Sequence, residues 1–87
     1  MFLFNRKKYI INDKRVKKDY FYFDMKMKLM IAEDCCAIIS SNDLEPIDIE
    51  KTSKALQKLD SSFHEKLKEI EINGSVKVLN SVYEIRR

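Results

Sequence analysis

A shortage of turn-forming residues is the sequence feature that most restricts the fold. The 87-residue chain contains one glycine, Gly74, and one proline, Pro46. Sandwiches and barrels of short strands need a turn about every 8–12 residues, and Gly and Pro are the strongest turn signals. Long helices need far fewer turns. The composition therefore favours an all-α fold over a fold built from sheets.

The chain is long enough for one hydrophobic core only. Hydrophobic residues make up 45% and charged residues 36%, a balance that buries a core and solvates a surface. We expect a single small domain over residues 1–87, with a basic N-terminal arm at about residues 1–16. A core of this size supplies only about 3–5 kcal/mol of net stability, so self-association would add to it.

The second half of the chain predicts one long helix. Apolar residues recur every three or four positions between Thr52 and Ile70. Pro46 suits a first helical turn, and Gly74 suits a left-handed stop. The pattern predicts a helix from about Pro46 to Ile72.

The segment from Tyr20 to Ser41 fits two patterns. Its apolar residues alternate as in a strand, yet a subset also fits a helical stripe. A strand of this length is rare, and Met, Lys and Leu are good helix formers, so the sequence favours a helix from about Lys17 to Ser41. We expect the two helices to form an antiparallel hairpin. Its core would comprise Phe21, Met25, Leu29, Ala32, Cys36 and Ile39 against Leu56, Leu59, Phe63, Leu67 and Ile70.

The two ends of the chain leave an alternative open. The valine-rich residues 75–85 can form a short third C-terminal helix or a β segment, and Tyr9 to Ile11 can form a short strand, an extended arm or a helical turn. We favour the C-terminal helix, which makes the fold all-α. If both ends are strands, they pair into a small sheet on the helical hairpin, and the fold is α+β.

Positive charge is concentrated at the N terminus. Residues 1–28 carry nine Lys and Arg and three Asp, whereas residues 29–72 carry five Lys and ten acidic residues. The aromatic run from Tyr20 to Phe23 follows directly, so cations that attract phosphates adjoin rings that stack on bases. Seven cations are candidates for contacts with phosphate or an acidic partner: Arg6, Lys7, Lys8, Lys14, Arg15, Lys17 and Lys18.

The sequence predicts no catalytic, cofactor or metal site. A single glycine excludes a phosphate-binding glycine loop, and Cys35 and Cys36 are adjacent rather than spaced for redox or zinc chemistry. His64 lies one helical turn after Asp60, without a third group nearby in the sequence. We therefore expect neither an enzyme nor a small-molecule substrate. No apolar stretch is long enough for a membrane span, and we expect a cytoplasmic protein.

Two functions remain. The first is a non-enzymatic protein-interaction module, such as a regulator, adaptor or inhibitor, that binds a protein partner or forms a homodimer. The alternative is a nucleic-acid-binding protein that uses its basic, aromatic-rich N-terminal third.

Overall fold

The protein has an α+β fold. The computed structural model describes residues 7–35 and 48–87. The described elements are, in chain order, β1 (Lys8–Ile11), β2 (Lys14–Val16), α1 (Lys18–Ala32), α2 (Ile49–Asn73), β3 (Ser75–Val78) and β4 (Ser81–Arg86). The all-α prediction is wrong, because both chain ends contribute strands. The arrangement is the α+β alternative, in which terminal strands pack on two helices.

The four strands form one antiparallel sheet in the order β2-β1-β4-β3. Each sequence-local pair is a hairpin, and the two hairpins meet where β1 pairs with β4, with Tyr9 opposite Ile85 and Ile11 opposite Tyr83. The predicted third C-terminal helix is therefore replaced by the hairpin of β3 and β4. In β3 the side chains alternate between exposed and buried, which is the period of a half-buried strand.

The hairpins turn without glycine or proline. Asn12 and Asp13 both have positive φ angles, 49° and 67°, as a two-residue type I′ turn requires. Asn12 also joins the hairpins, because its side-chain oxygen accepts a hydrogen bond from the Val82 N–H at 2.8 Å. In the second turn Leu79 has a φ of 53°, which is unusual for a bulky residue.

The helix α2 agrees closely with the predicted one. Its N-cap Asp48 accepts a hydrogen bond from the Lys51 N–H at 3.1 Å, and Gly74 ends it in the left-handed conformation, with φ 83°. Pro46 lies outside the described residues.

The helix α1 is confirmed as a helix, although it stops earlier than expected. It ends at Ala32, and Asp34 then adopts a left-handed φ of 55°. The remainder of the predicted helix, residues 36–41, lies outside the described residues.

The two helices pack antiparallel on one face of the sheet. The Tyr22 ring near the start of α1 meets Phe63 at 5.9 Å between centroids, whereas Glu33 just after α1 pairs with Lys58 at 3.2 Å. The two helices therefore run in opposite directions where they touch. The buried core is shared with the strands: Ile11, Phe21, Met25, Leu29, Met30, Cys35, Leu59, Ile70, Val76, Val78 and Tyr83.

The predicted core is partly correct. Phe21, Met25, Leu29, Leu59 and Ile70 are buried as expected. Within the same stripes, the exposed members are Ala32 and Leu56, the partly buried members are Phe63 and Leu67, and those outside the described residues are Cys36 and Ile39. The helices pack against a sheet as well as each other, so strand residues take places that the hairpin prediction assigned to helical ones.

Two fully buried rings connect α1 to the sheet. Phe21 packs edge-on against Tyr83, with ring centroids 5.5 Å apart, and also meets Tyr9 at 5.1 Å. The Tyr83 hydroxyl donates a hydrogen bond to the Asp24 carboxylate at 2.6 Å. Burial, together with this hydrogen bond and the Asp24 charge, raises the pKa of Tyr83 above its usual value.

We expect Tyr83→Phe to destabilise the protein by about 1–3 kcal/mol at neutral pH, because the partly buried Asp24 carboxylate loses its partner. A pKa raised by folding adds stability that is complete below the unfolded value of about 10 and is lost as pH rises above it. The variant should therefore lose stability less steeply than the wild type above about pH 10. Burial and Tyr9 also raise the pKa of Tyr22, to about 12, in both proteins.

Urea unfolding across this pH range measures both effects. Tyr20→Phe is the matched control, because Tyr20 is exposed. Equal alkaline slopes for wild type and Tyr83→Phe would contradict the assignment.

Candidate anion-binding cleft

The first hairpin collects basic residues that are separated in the sequence. Tyr9 pairs with Val16, so the chain enters and leaves the hairpin at the same end. Lys7 precedes the entering strand and Lys8 begins it, while Lys17 and Lys18 follow the leaving strand. The hairpin therefore turns two distant Lys-Lys pairs into one cluster.

This cluster lines an open cleft of about 490 Å³, which we call the basic cleft. Its described lining residues are Lys7, Lys8, Tyr9, Arg15, Val16, Lys17 and Lys18. Five of the seven cations selected from the sequence are thus brought together, and no carboxylate occurs among the described residues of the lining. A concave surface with one sign of charge concentrates its field on a ligand of the opposite sign.

Most of these cations form no ion pair within the described part of the protein. Lys7 pairs weakly with Glu71 at 3.7 Å, and the Lys18 ammonium lies 5.8 Å from the centre of the Tyr22 ring. In the described part of the chain, Lys8, Arg15 and Lys17 form no ion pair. An anion in the cleft would therefore compete with few of the protein's own carboxylates for these cations.

The start of α1 adds to the positive potential. Lys17 is the N-cap residue and its side chain makes no capping hydrogen bond, so the first-turn N–H groups donate none to it. The helix dipole adds partial positive charge at this end. Asp19 in the first turn opposes that charge, but it does not line the basic cleft.

Lys14 lies in a neighbouring cleft of about 290 Å³, here called the ring cleft. Its described lining residues are Ile11, Asn12, Lys14, Val16, Tyr20, Asp24, Lys28 and Ser81. The two clefts share Val16 of the edge strand β2. Six of the seven predicted cations therefore flank one strand, and Arg6 lies outside the described residues.

The face of the sheet opposite the helices adds two cations, Lys77 and Arg86, that sequence reasoning missed. The strand register places Lys8, Arg15, Lys77 and Arg86 on this face. Arg86 is neutralised locally by Glu84 at 2.9 Å and Asp13 at 3.8 Å. Lys77 and Arg86 are about seventy residues from the N-terminal cluster, so only the pairing of β1 with β4 could have revealed their proximity.

The residues considered for enzymatic chemistry do not converge in the described regions. His64 and Asp60 are exposed on α2, and Cys35 is a buried free thiol. Residues 7–35 and 48–87 hold no group of three His, Cys, Asp or Glu side chains that could bind a metal ion. Cys36 lies outside these ranges.

No family model matches the chain, and no curated protein or solved structure matches it. Neither helix that the structure describes is long and apolar enough to cross a membrane.

Clustered like charges should cost the protein stability. We expect Lys8→Gln with Lys17→Gln to raise the midpoint of thermal unfolding at about 20 mM salt, because repulsion within the basic cleft is relieved, and to have little effect at about 500 mM salt, where charges are screened. Lys51→Gln with Lys54→Gln is the control with the same change in net charge. It removes the exposed pair of Lys54 with Glu50 and should give no such gain. Calorimetry at both salt concentrations measures the difference, and an equal gain in the two double variants would contradict the local repulsion.

Proposed function

We propose that this protein binds nucleic acid by contacting the phosphate backbone of the nucleic acid. The observation that carries the proposal is the basic cleft, in which five cations surround one concavity without a carboxylate among its described lining residues. Lysines contact phosphates as point charges, and Arg15 adds a planar fork that fits phosphate oxygens. Contacts of this kind carry no sequence information, so binding is expected to be largely independent of sequence.

There are more cations around β2 than are needed to prevent this edge strand from pairing with another chain. Charged residues on an edge strand prevent unwanted pairing with another chain, and β2 is an edge strand. Lys14 and Arg15 on β2 already meet that need. Protection of the edge leaves the four lysines at the open end of the hairpin unexplained, whereas phosphate binding uses them.

Nucleic-acid binding should weaken steeply with salt. Each phosphate contact releases counterions, so the logarithm of the binding constant should fall with log salt at about −0.7 per contact on single strands and about −0.9 on duplex DNA. Five contacts give a slope between about −3.5 and −4.5. Lys8→Ala with Lys17→Ala should remove about two contacts and flatten the slope accordingly. Fluorescence anisotropy with labelled oligonucleotides measures both quantities.

The control for this experiment is Lys51→Ala with Lys54→Ala, which removes the same charge at the start of α2. Its slope should remain close to that of the wild type. Absence of binding even at low salt, or an equal loss in both double variants, would refute binding through the basic cleft.

A second candidate function is protein interaction, including self-association. On the outer side of α1, Tyr20, Phe23 and Ile31 are 54%, 62% and 58% exposed. Apolar side chains grouped on one helix face often mark a contact with another protein, and a second copy is the simplest partner for so small a core.

If this surface forms a homodimer, Phe23→Ser with Ile31→Ser should shift the protein from dimer to monomer. Size-exclusion chromatography with light scattering measures the mass directly. Ile49→Ser serves as the control, because Ile49 is an exposed apolar residue on α2. A wild-type protein that stays monomeric at every concentration would rule out self-association.

A further inference from the structure

We infer that the nucleic acid is single-stranded and that the rings of Tyr20 and Phe23 stack on its bases. This inference rests on the proposed phosphate-binding function and specifies its substrate class.

The phase of α1 separates four consecutive aromatic residues into two roles. Phe21 is fully buried and Tyr22 partly buried, and both belong to the aromatic contacts that hold the helix in place. Tyr20 and Phe23 lie one helical turn apart on the outer side and expose more than half of their surface. Two exposed rings follow directly after the lysines of the basic cleft.

One of the two exposed rings, Tyr20, borders a cleft next to the basic cleft. Tyr20 lines the ring cleft together with Lys14, Lys28 and Asp24, whose carboxylate accepts a hydrogen bond from the Tyr83 hydroxyl. The ring cleft shares Val16 with the basic cleft. A strand lying along the edge of β2 would therefore pass the lysines of one cleft and then reach a ring bordered by further lysines. Cations that follow the backbone beside rings that accept bases are the general design of single-strand binders.

The same surface is poorly suited to a duplex. A helix that reads the major groove presents polar and basic residues to the base edges, whereas the outer side of α1 carries Tyr20, Phe23 and Ile31. In a duplex the bases are already stacked on each other, so rings on a protein surface gain no base partner without unstacking them. An unpaired strand offers free bases to the two rings.

The test compares the wild type with Tyr20→Leu and Phe23→Leu, separately and combined. Anisotropy titrations at one low salt concentration use a labelled oligo-dT, an oligo-rU, a duplex DNA of equal length, and an oligomer of abasic sites. Leucine keeps an apolar side chain at each position but cannot stack. We expect each leucine variant to bind oligo-dT about tenfold more weakly, corresponding to stacking of one base. On the abasic oligomer the variants should equal the wild type.

Two controls separate stacking from other effects. Tyr20→Phe keeps a ring and should keep the affinity, while Ile49→Ser alters an exposed apolar residue of the other helix and should leave binding unchanged. Circular dichroism confirms that each variant is folded. The ratio of oligo-rU to oligo-dT affinity shows which sugar is preferred.

The outcomes distinguish the two levels of the proposal. Weaker binding of oligo-dT by the leucine variants, with duplex bound less tightly than oligo-dT, supports single-strand stacking. Equal binding of duplex and oligo-dT, with leucine variants unchanged, overturns this inference but leaves phosphate binding intact. No binding to any of the four probes refutes the proposed function itself.

Discussion

The pairing of β1 with β4 is the interaction on which the rest of this structure depends. An isolated two-stranded hairpin is only marginally stable in water, and each end of the chain contributes just one. Joining the hairpins creates a four-stranded sheet with an apolar face, against which both helices pack. Asn12 strengthens the junction by exchanging hydrogen bonds with the backbone of Val82 at 2.8 and 2.9 Å. Asn12 and Val82 are 70 positions apart, so the four-stranded sheet depends on long-range contacts between the two hairpins.

The same arrangement explains why the basic cleft lies at the edge of the molecule. Phe21 is held between Tyr9 of β1 and Tyr83 of β4, which fixes the first turns of α1 over the sheet. Lys17 and Lys18 lie about one helical turn before Phe21, and together with Lys7 and Lys8 they line the basic cleft. A rigid aromatic core thus keeps like charges close together despite their repulsion. We expect this repulsion to lower stability, and the proposed binding of phosphates would offset it.

The failure of the all-α prediction has a specific physical cause. The sequence argument equated few glycines and prolines with few tight turns. Asn12 and Asp13 adopt the left-handed conformation readily, because their short polar side chains tolerate it, and so form a turn without glycine. Leu79 adopts it against its own preference, so the pairing of β3 with β4 imposes that turn. A short window of sequence shows neither which strand a segment will pair with nor how strong that pairing is.

The sequence by itself determined the features that depend on neighbouring residues. These are the helix α2 with its Gly74 stop, the helical nature of α1, part of its buried stripe and the excess of N-terminal cations, because propensity, capping and charge act over a few positions. Only the tertiary structure decided the rest. It made strands of both chain ends, brought five cations around one cleft, and turned Tyr20 and Phe23 outward while burying Phe21. Those outcomes depend on long-range strand pairing and on how α1 is rotated against the sheet. Neither can be predicted from neighbouring residues alone.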